Sequence, residues 1–169
     1  LRRSRGLGDV YKRQLQPLQK KEIPLHVKSF KNPKLKGTII SKEIEIEPLV
    51  PCYIFKENLI LIKLSSLDFS FMVEDNISNI FKELHDFKMK VDVIQNSAIS
   101  FSVCFFDKYN NIDALVKNFE GKFKIEMYKN VSLFTIRHFN EKSIEKVSNK
   151  RKLVLEQRTE KTVRLIFSN

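Results

Sequence analysis

Three histidines, His26, His85 and His138, and two cysteines, Cys52 and Cys104, are the residues of this chain best suited to nucleophilic or metal chemistry. Their spacing supports neither. No CxxC occurs and no histidine stands close in sequence to a cysteine, so a zinc site is not expected. The histidines are scattered, with no serine or cysteine nucleophile arranged beside them. A loop that cradles phosphate needs clustered glycines, which let backbone N–H groups approach the anion. Only Gly37 and Gly121 lie outside the first fourteen residues, and no acidic cluster of the Mg²⁺-holding kind is present. The chain is not expected to transfer phosphoryl groups by itself or to carry a cofactor. Its two thiols read as reduced and buried.

A length of 169 residues suits one medium domain or two small ones sharing a core. No apolar run approaches the ~18 residues that read as a membrane span, and the N-terminal arginines have no apolar stretch behind them, so a cytoplasmic protein without a membrane partner is expected. The net charge of +11 raises the question of nucleic acid. Five basic residues against Asp9 in LRRSRGLGDVYKRQ (1–14) supply +4 of it, leaving +7. That opening has no periodicity and resembles translated adaptor sequence. Residues 1–22 are therefore set aside as a non-native segment and linker. The remaining lysines are spread along the chain near Glu and Asp, as on a solvated surface, and no nucleic-acid partner is expected.

Beyond residue 22, PLHVKSF (24–30) reads as a short strand, KNPKLKG (31–37) as a turn, and SKEIEIEPLVP (41–51) as an exposed connector. ENLILIKLSS (57–66) is apolar enough for a central strand. A helix begins near Asp75 or Asn76, either of which can cap it, and Ile77, Ile80, Phe81 and Leu84 share one face of it. Strands follow at 90–97 and 98–106, then a helix carrying Ile112, Leu115, Val116 and Phe119 that Gly121 stops, then a strand at 122–128. This is the βαββαβ order of a ferredoxin-like unit. Half of it then repeats: a strand at 130–139, a helix at 140–147 capped by Asn140, and strands at 151–158 and 161–168. The repeat ends before a second helix and a fourth strand, and the strand at 24–30 is expected to supply the latter.

Four segments, VKSFKNPKLKGTIIS, LSSLDFSF, VDVIQNSAISFSV and NVSLFTIRHF, resemble in order and spacing the C-terminal half of monofunctional aspartate kinases, in the form found in Bacteroidetes-type bacteria. The resemblance covers roughly residues 23–168. It implies an α+β fold of two ferredoxin-like ACT modules, the first inserted into a shortened second. The domains are then 23–56 (first strand of the second module, with connector), 57–128 (the effector-sensing first module) and 129–169 (the rest of the second). It also implies a homodimer. ATP and Mg²⁺ would belong to a kinase domain that this chain lacks.

A free amino acid presents a carboxylate and an ammonium. A helix N-terminus offers N–H groups to the first, and a carboxylate suits the second. The family's effector pocket lies at a dimer seam, between the loop before the first helix and the strand behind it. Carried onto this sequence, the loop gives Phe71, Met72, Asp75, Asn76 and Ile77, and the strand gives Val91, Asp92, Gln95, Asn96 and Ser97. Asp92 is expected to take the ammonium, and the N–H groups of Asn76 and Ile77 the carboxylate. Asn96 and Ser97 would bond across the seam. L-lysine is the effector the family implies first, threonine next. Each residue has a plainer reading: Asp92 solvated, Asp75 and Asn76 as caps, Ser97 as a turn residue, Phe71 and Met72 as core or dimer contacts.

Two other functions fit the same pattern of elements. One is a purely structural dimerisation domain. The other is an RRM-like RNA-binding module, since SFSVCFF (100–106) carries alternating aromatics. It lacks a leading Lys/Arg-Gly, and KVDVIQNS offers no aromatic to stack a base.

Overall fold

The computed structural model describes residues 15–41, 48–68 and 70–168. The opening segment 1–14 and most of the connector expected at 41–51 lie outside them. The chain divides into two compact units, 1–48 and 49–169. In the first, helix α1 (Gln16–Lys20) carries Pro17 in its opening turn, where a missing N–H costs nothing. The sequence reads this stretch as a polar tail. Strands β1 (Leu25–Val27) and β2 (Thr38–Ile40) pair antiparallel as a two-stranded sheet. Gly37 has φ +72°, and a side chain there would collide with the Val27 carbonyl.

The second unit holds strands β3 (Cys52–Ser66), β4 (Lys90–Asn96), β5 (Ser100–Phe106), β6 (Phe123–Arg137), β7 (Lys152–Arg158) and β8 (Thr162–Ser168). Its helices are α2 (Glu74–Asp86), α3 (Ile112–Phe119) and α4 (Glu141–Ser148). The strands form one antiparallel sheet in the order β4-β5-β3-β6-β8-β7. Two 15-residue strands, β3 and β6, run through both halves. The C-terminal half of β3 and the N-terminal half of β6 complete a ferredoxin-like unit with β4, β5, α2 and α3. The remaining halves complete a second with β7, β8 and α4. Within this unit the first ferredoxin-like half is thus inserted between the strands of the second half.

One strand differs from the sequence expectation. The missing strand of the second module is Cys52–Lys56, which pairs with Leu133–Arg137, whereas 24–30 contributes only β1, paired to β2. The run Cys52-Tyr53-Ile54-Phe55-Lys56 continues directly into the strong strand that follows. A single long strand serving two modules is invisible to a reading that seeks one strand per module. Likewise 122–128 and 130–139 are one strand.

Each long strand is interrupted by a bulge where the halves meet. The register slips between Lys56↔Leu133 and Leu59↔Val131, and again before Leu61↔Tyr128. The extra residues bring Asn58 and Asn130 to φ +57° each, a left-handed conformation that asparagine tolerates better than other side chains. One extra residue inverts the in–out alternation of a strand. Both bulges therefore keep a single apolar face continuous across the halves. That face carries Leu59, Leu61, Val93, Cys104, Val131, Leu133 and Ile166, all buried. On the outer face of the first half, Ile80, Leu84, Leu115 and Phe119 of the helices cover Ile62, Leu64, Phe101, Val103 and Phe105. On the outer face of the second, Val147 of α4 covers Phe134, Ile136, Val163, Leu165 and Phe167. The aromatics of β5 at 101 and 105 are thus core residues beneath helices, not a stacking platform. Among the described residues of this unit α4 is the only helix on the second half, and Tyr53 and Phe55 are substantially exposed.

Candidate functional site

The loop before α2 is held against the β4–β5 turn. Met72 N–H donates to Ala98 O at 2.8 Å, and Met72 is buried in the core beneath α2. Phe71 is turned outward, 70% exposed. The helix starts at Glu74, ahead of the start near Asp75 or Asn76 that the sequence indicates. Val73 is the N-cap and gives no side-chain cap, so neither Asp75 nor Asn76 caps. Ile77 N–H already donates to Val73 O at 3.2 Å, and only N–H groups upstream of it lack an intrahelical acceptor. The expected pair of donors is therefore reduced to Asn76. Asn76 lines a cavity of about 630 Å³ with Ser66, Asp68, Ser70, Asn79 and Lys122. Ser70 N–H donates to Asp68 Oδ1 at 3.1 Å, and hydrogen bonds from Ser70 hold the Asp68 carboxyl below its ordinary value.

The strand residues fall into two groups. Asn96 ends β4 and Ser97 follows it, beside the loop. Ser97 spends its hydroxyl on its own turn, 2.7 Å from Ser100 Oγ, and accepts from Ser100 N–H at 3.1 Å. Gln95 and Asn96 are exposed, and Val91 packs against the core beneath the helices. Asp92 lies four residues before Asn96, about 13 Å along the strand. It sits at a register slip between Val91 and Val93. Asp92 is not a solvated edge carboxylate: its side chain is 11% exposed and Lys56 Nζ donates to its Oδ1. It lines a second cavity, about 200 Å³, with Ile54, Lys56, Leu133, Thr135 and Arg164. The ten residues thus do not gather: Met72 and Val91 pack in the core, Asn76 lines the larger cavity and Asp92 the smaller.

Cys104 is buried in the apolar face with Val93 and Leu133. Desolvation, with the Asp92 charge adding to it and Lys56 opposing it, pushes its thiol up to about 12. The thiol therefore stays protonated at neutral pH and packs as a small apolar group. Cys52 is exposed, contrary to the expectation that both are buried. Among the described residues no three His, Cys, Asp or Glu side chains gather as for a metal ion.

Sequence reasoning missed Lys56, Thr135, Arg164 and Gln157. Gln157 Nε2 donates to Ile94 O at 3.1 Å, and Arg164 Nη1 donates to Gln157 Oε1 at 3.3 Å. These four residues come from the second half and meet Asp92 and Ile94 of the first. The signal for Lys56 was the apolar run Tyr53-Ile54-Phe55 before it, which marks a strand. Nothing local marks the others.

No family model matches the sequence, and no curated protein matches it. Solved structures do. Aspartate kinase of Clostridium acetobutylicum superposes with a TM-score of 0.74 at 16% identity, over 91% of this chain and 40% of that one. Aspartokinase III of E. coli, in its T-state complex with lysine and aspartate, gives 0.68 at 17%, over 90% and 37%. A putative C-terminal regulatory domain of aspartate kinase from Porphyromonas gingivalis gives 0.57 at 13%, over 71% and 87%. The chain spans about 37–40% of the length of the first two. Its antiparallel sheet, two interleaved ferredoxin-like halves and helix placement are those of tandem ACT modules, and the chain has the fold of the regulatory region of aspartate kinases.

Proposed function

We propose that this chain is the amino-acid-sensing regulatory region of an aspartate kinase, an enzyme that phosphorylates L-aspartate with ATP at the head of aspartate-family amino-acid biosynthesis. The observation that carries the reading is the insertion of one ferredoxin-like unit into another through two shared 15-residue strands. A generic βαββαβ domain has no such feature, and the aspartate kinases superpose over nine-tenths of the chain. The phosphoryl transfer, with its ATP and Mg²⁺, is assigned to a kinase domain outside these residues. Feedback control is then a coupling free energy between an effector site here and an active site there.

The effector is a free amino acid, L-lysine first and threonine second. Asn76 at the N-terminus of α2 and Asp92 on β4 are the groups proposed to meet it. The effector is proposed to bind at the seam of a homodimer. No described helix is long and apolar enough to cross a membrane, which accords with a cytoplasmic location. A second reading, a purely structural dimerisation region, is favoured by one observation: Asp92 already holds an ammonium, that of Lys56.

The test is a thermal-shift survey of the chain against the twenty amino acids. A sensor gives a saturable rise in Tm with one or two of them, following RT ln(1 + [L]/Kd). A folded dimer that shifts with none supports the structural reading instead.

A further inference from the structure

The ion pair between Lys56 and Asp92 is asymmetric. Asp92 is fixed in the wall, 11% exposed, at an irregular point of β4 beside the buried Cys104. Lys56 reaches it from β3 of the other half, 43% exposed, with water on its open side. Lys56 is the member that can leave. The cavity they share, about 200 Å³, has apolar walls at Ile54 and Leu133, a hydroxyl at Thr135 and a second cation at Arg164. Arg164 donates to Gln157 Oε1 at 3.3 Å, which uses one of the five donors of its guanidinium.

With Lys56 in place the polar wall carries two positive groups and one negative. With Lys56 swung into solvent it carries one of each, Asp92 and Arg164. That is the complement of a zwitterion. The volume lies below the ~300–1,000 Å³ of pockets for drug-sized ligands and suits a molecule of amino-acid size.

We propose that Lys56 is a tethered occupant of the Asp92 site: an α-amino acid enters this cavity by exchanging its ammonium for that of Lys56 and setting its carboxylate against Arg164. The inference rests on the sensing function proposed above, places the carboxylate on Arg164 of the same chain instead of on Asn76, and adds a residue that sets the threshold. Lys56 satisfies Asp92 until a ligand enters, and weakens apparent affinity by the fraction of time it occupies the carboxylate. It also couples ligand entry to the two halves, because the displaced bond joins β3 of one to β4 of the other.

The experiment is isothermal titration of the full chain with L-lysine and with L-threonine, comparing wild type, Lys56→Met, Lys56→Gln and Lys56→Met/Asp92→Asn. Circular dichroism confirms that each is folded, and Lys56→Gln serves where Lys56→Met is not. Removing Lys56 is expected to tighten binding of the preferred amino acid at least tenfold, and the double variant to lose that gain. A second probe, propylammonium chloride, carries the ammonium alone. It is expected to raise the Tm of the single variants and leave wild type and the double variant unmoved. Equal affinity in wild type and both single variants would overturn the exchange while leaving amino-acid sensing intact. Tightening that survives in the double variant overturns it as well. Absence of amino-acid binding in every variant removes the sensing function itself, and the exchange with it.

Discussion

The side-chain amide of Gln157 on β7 donates to the carbonyl oxygen of Ile94 on β4 at 3.1 Å, joining the two outermost strands of a six-strand order. Strands at opposite ends of a sheet meet only if the sheet curls. The curl encloses the face that carries Leu59, Leu61, Cys104, Val131 and Ile166. It also engages an outward carbonyl on an edge strand that would otherwise invite pairing. Gln157→Ala removes the donor and is expected to cost about 1–2 kcal/mol in urea unfolding. Amide exchange should rise in β4 ahead of β3. An unchanged midpoint would mean that the curl is held by the apolar face alone.

Cys104 gives a pH dependence. Its thiol ionises near 9.0 when unfolded and near 12 when folded. The folded pKa is raised, so its contribution is complete below pH 9 and is lost as pH rises toward 12. Stability should therefore fall across that window, and Cys104→Ala should flatten that part of the profile while lowering the plateau. At pH 8 iodoacetamide should label Cys52, which is exposed, and reach Cys104 only on unfolding.

The bulge at Asn58 holds a left-handed conformation, φ +57°. Asn58→Gly is expected to change stability by less than about 0.5 kcal/mol, since glycine adopts it freely. Asn58→Val should cost about 1–2 kcal/mol or more, because a branched Cβ crowds the following carbonyl. Equal effects in chemical denaturation would show that the bulge relaxes.

Helix α4 is held at its start by a reciprocal cap. Asn140 Oδ1 accepts from Ser143 N–H at 2.8 Å, and Ser143 Oγ accepts from Asn140 N–H at 2.9 Å. Asn140→Ala should cost about 1 kcal/mol, read as a lower denaturation midpoint with an unchanged slope. α4 is the only described helix over the second half, so near-ultraviolet dichroism from Phe134 and Phe167 should weaken with it.

Much of this fold is legible in the sequence because the apolar spacing is regular. Ile80 and Leu84 on α2, and Leu115 and Phe119 on α3, stand at helical spacing and are buried. Phe101, Val103 and Phe105 alternate along β5 and are buried together. What escapes is non-local. Cys52–Lys56 follows a proline, leaves Tyr53 and Phe55 half-covered, and gains its meaning only by pairing with Leu133–Arg137, some eighty residues on. The candidate site was legible as residue types but not as a constellation. Asp92 and Asn76 look adjacent along a loop and a strand, yet line different cavities. The partner that Asp92 does have, Lys56, arrives from another module, and no spacing rule connects them.

The central claim is that this chain senses an amino acid through Asp92. Calorimetric titration of L-lysine, then L-threonine, into wild type and Asp92→Asn tests it most directly. The account requires saturable binding of one of them to wild type, weakened at least tenfold in a folded Asp92→Asn. Binding of equal strength in both proteins, or no heat from either amino acid with wild type, contradicts it.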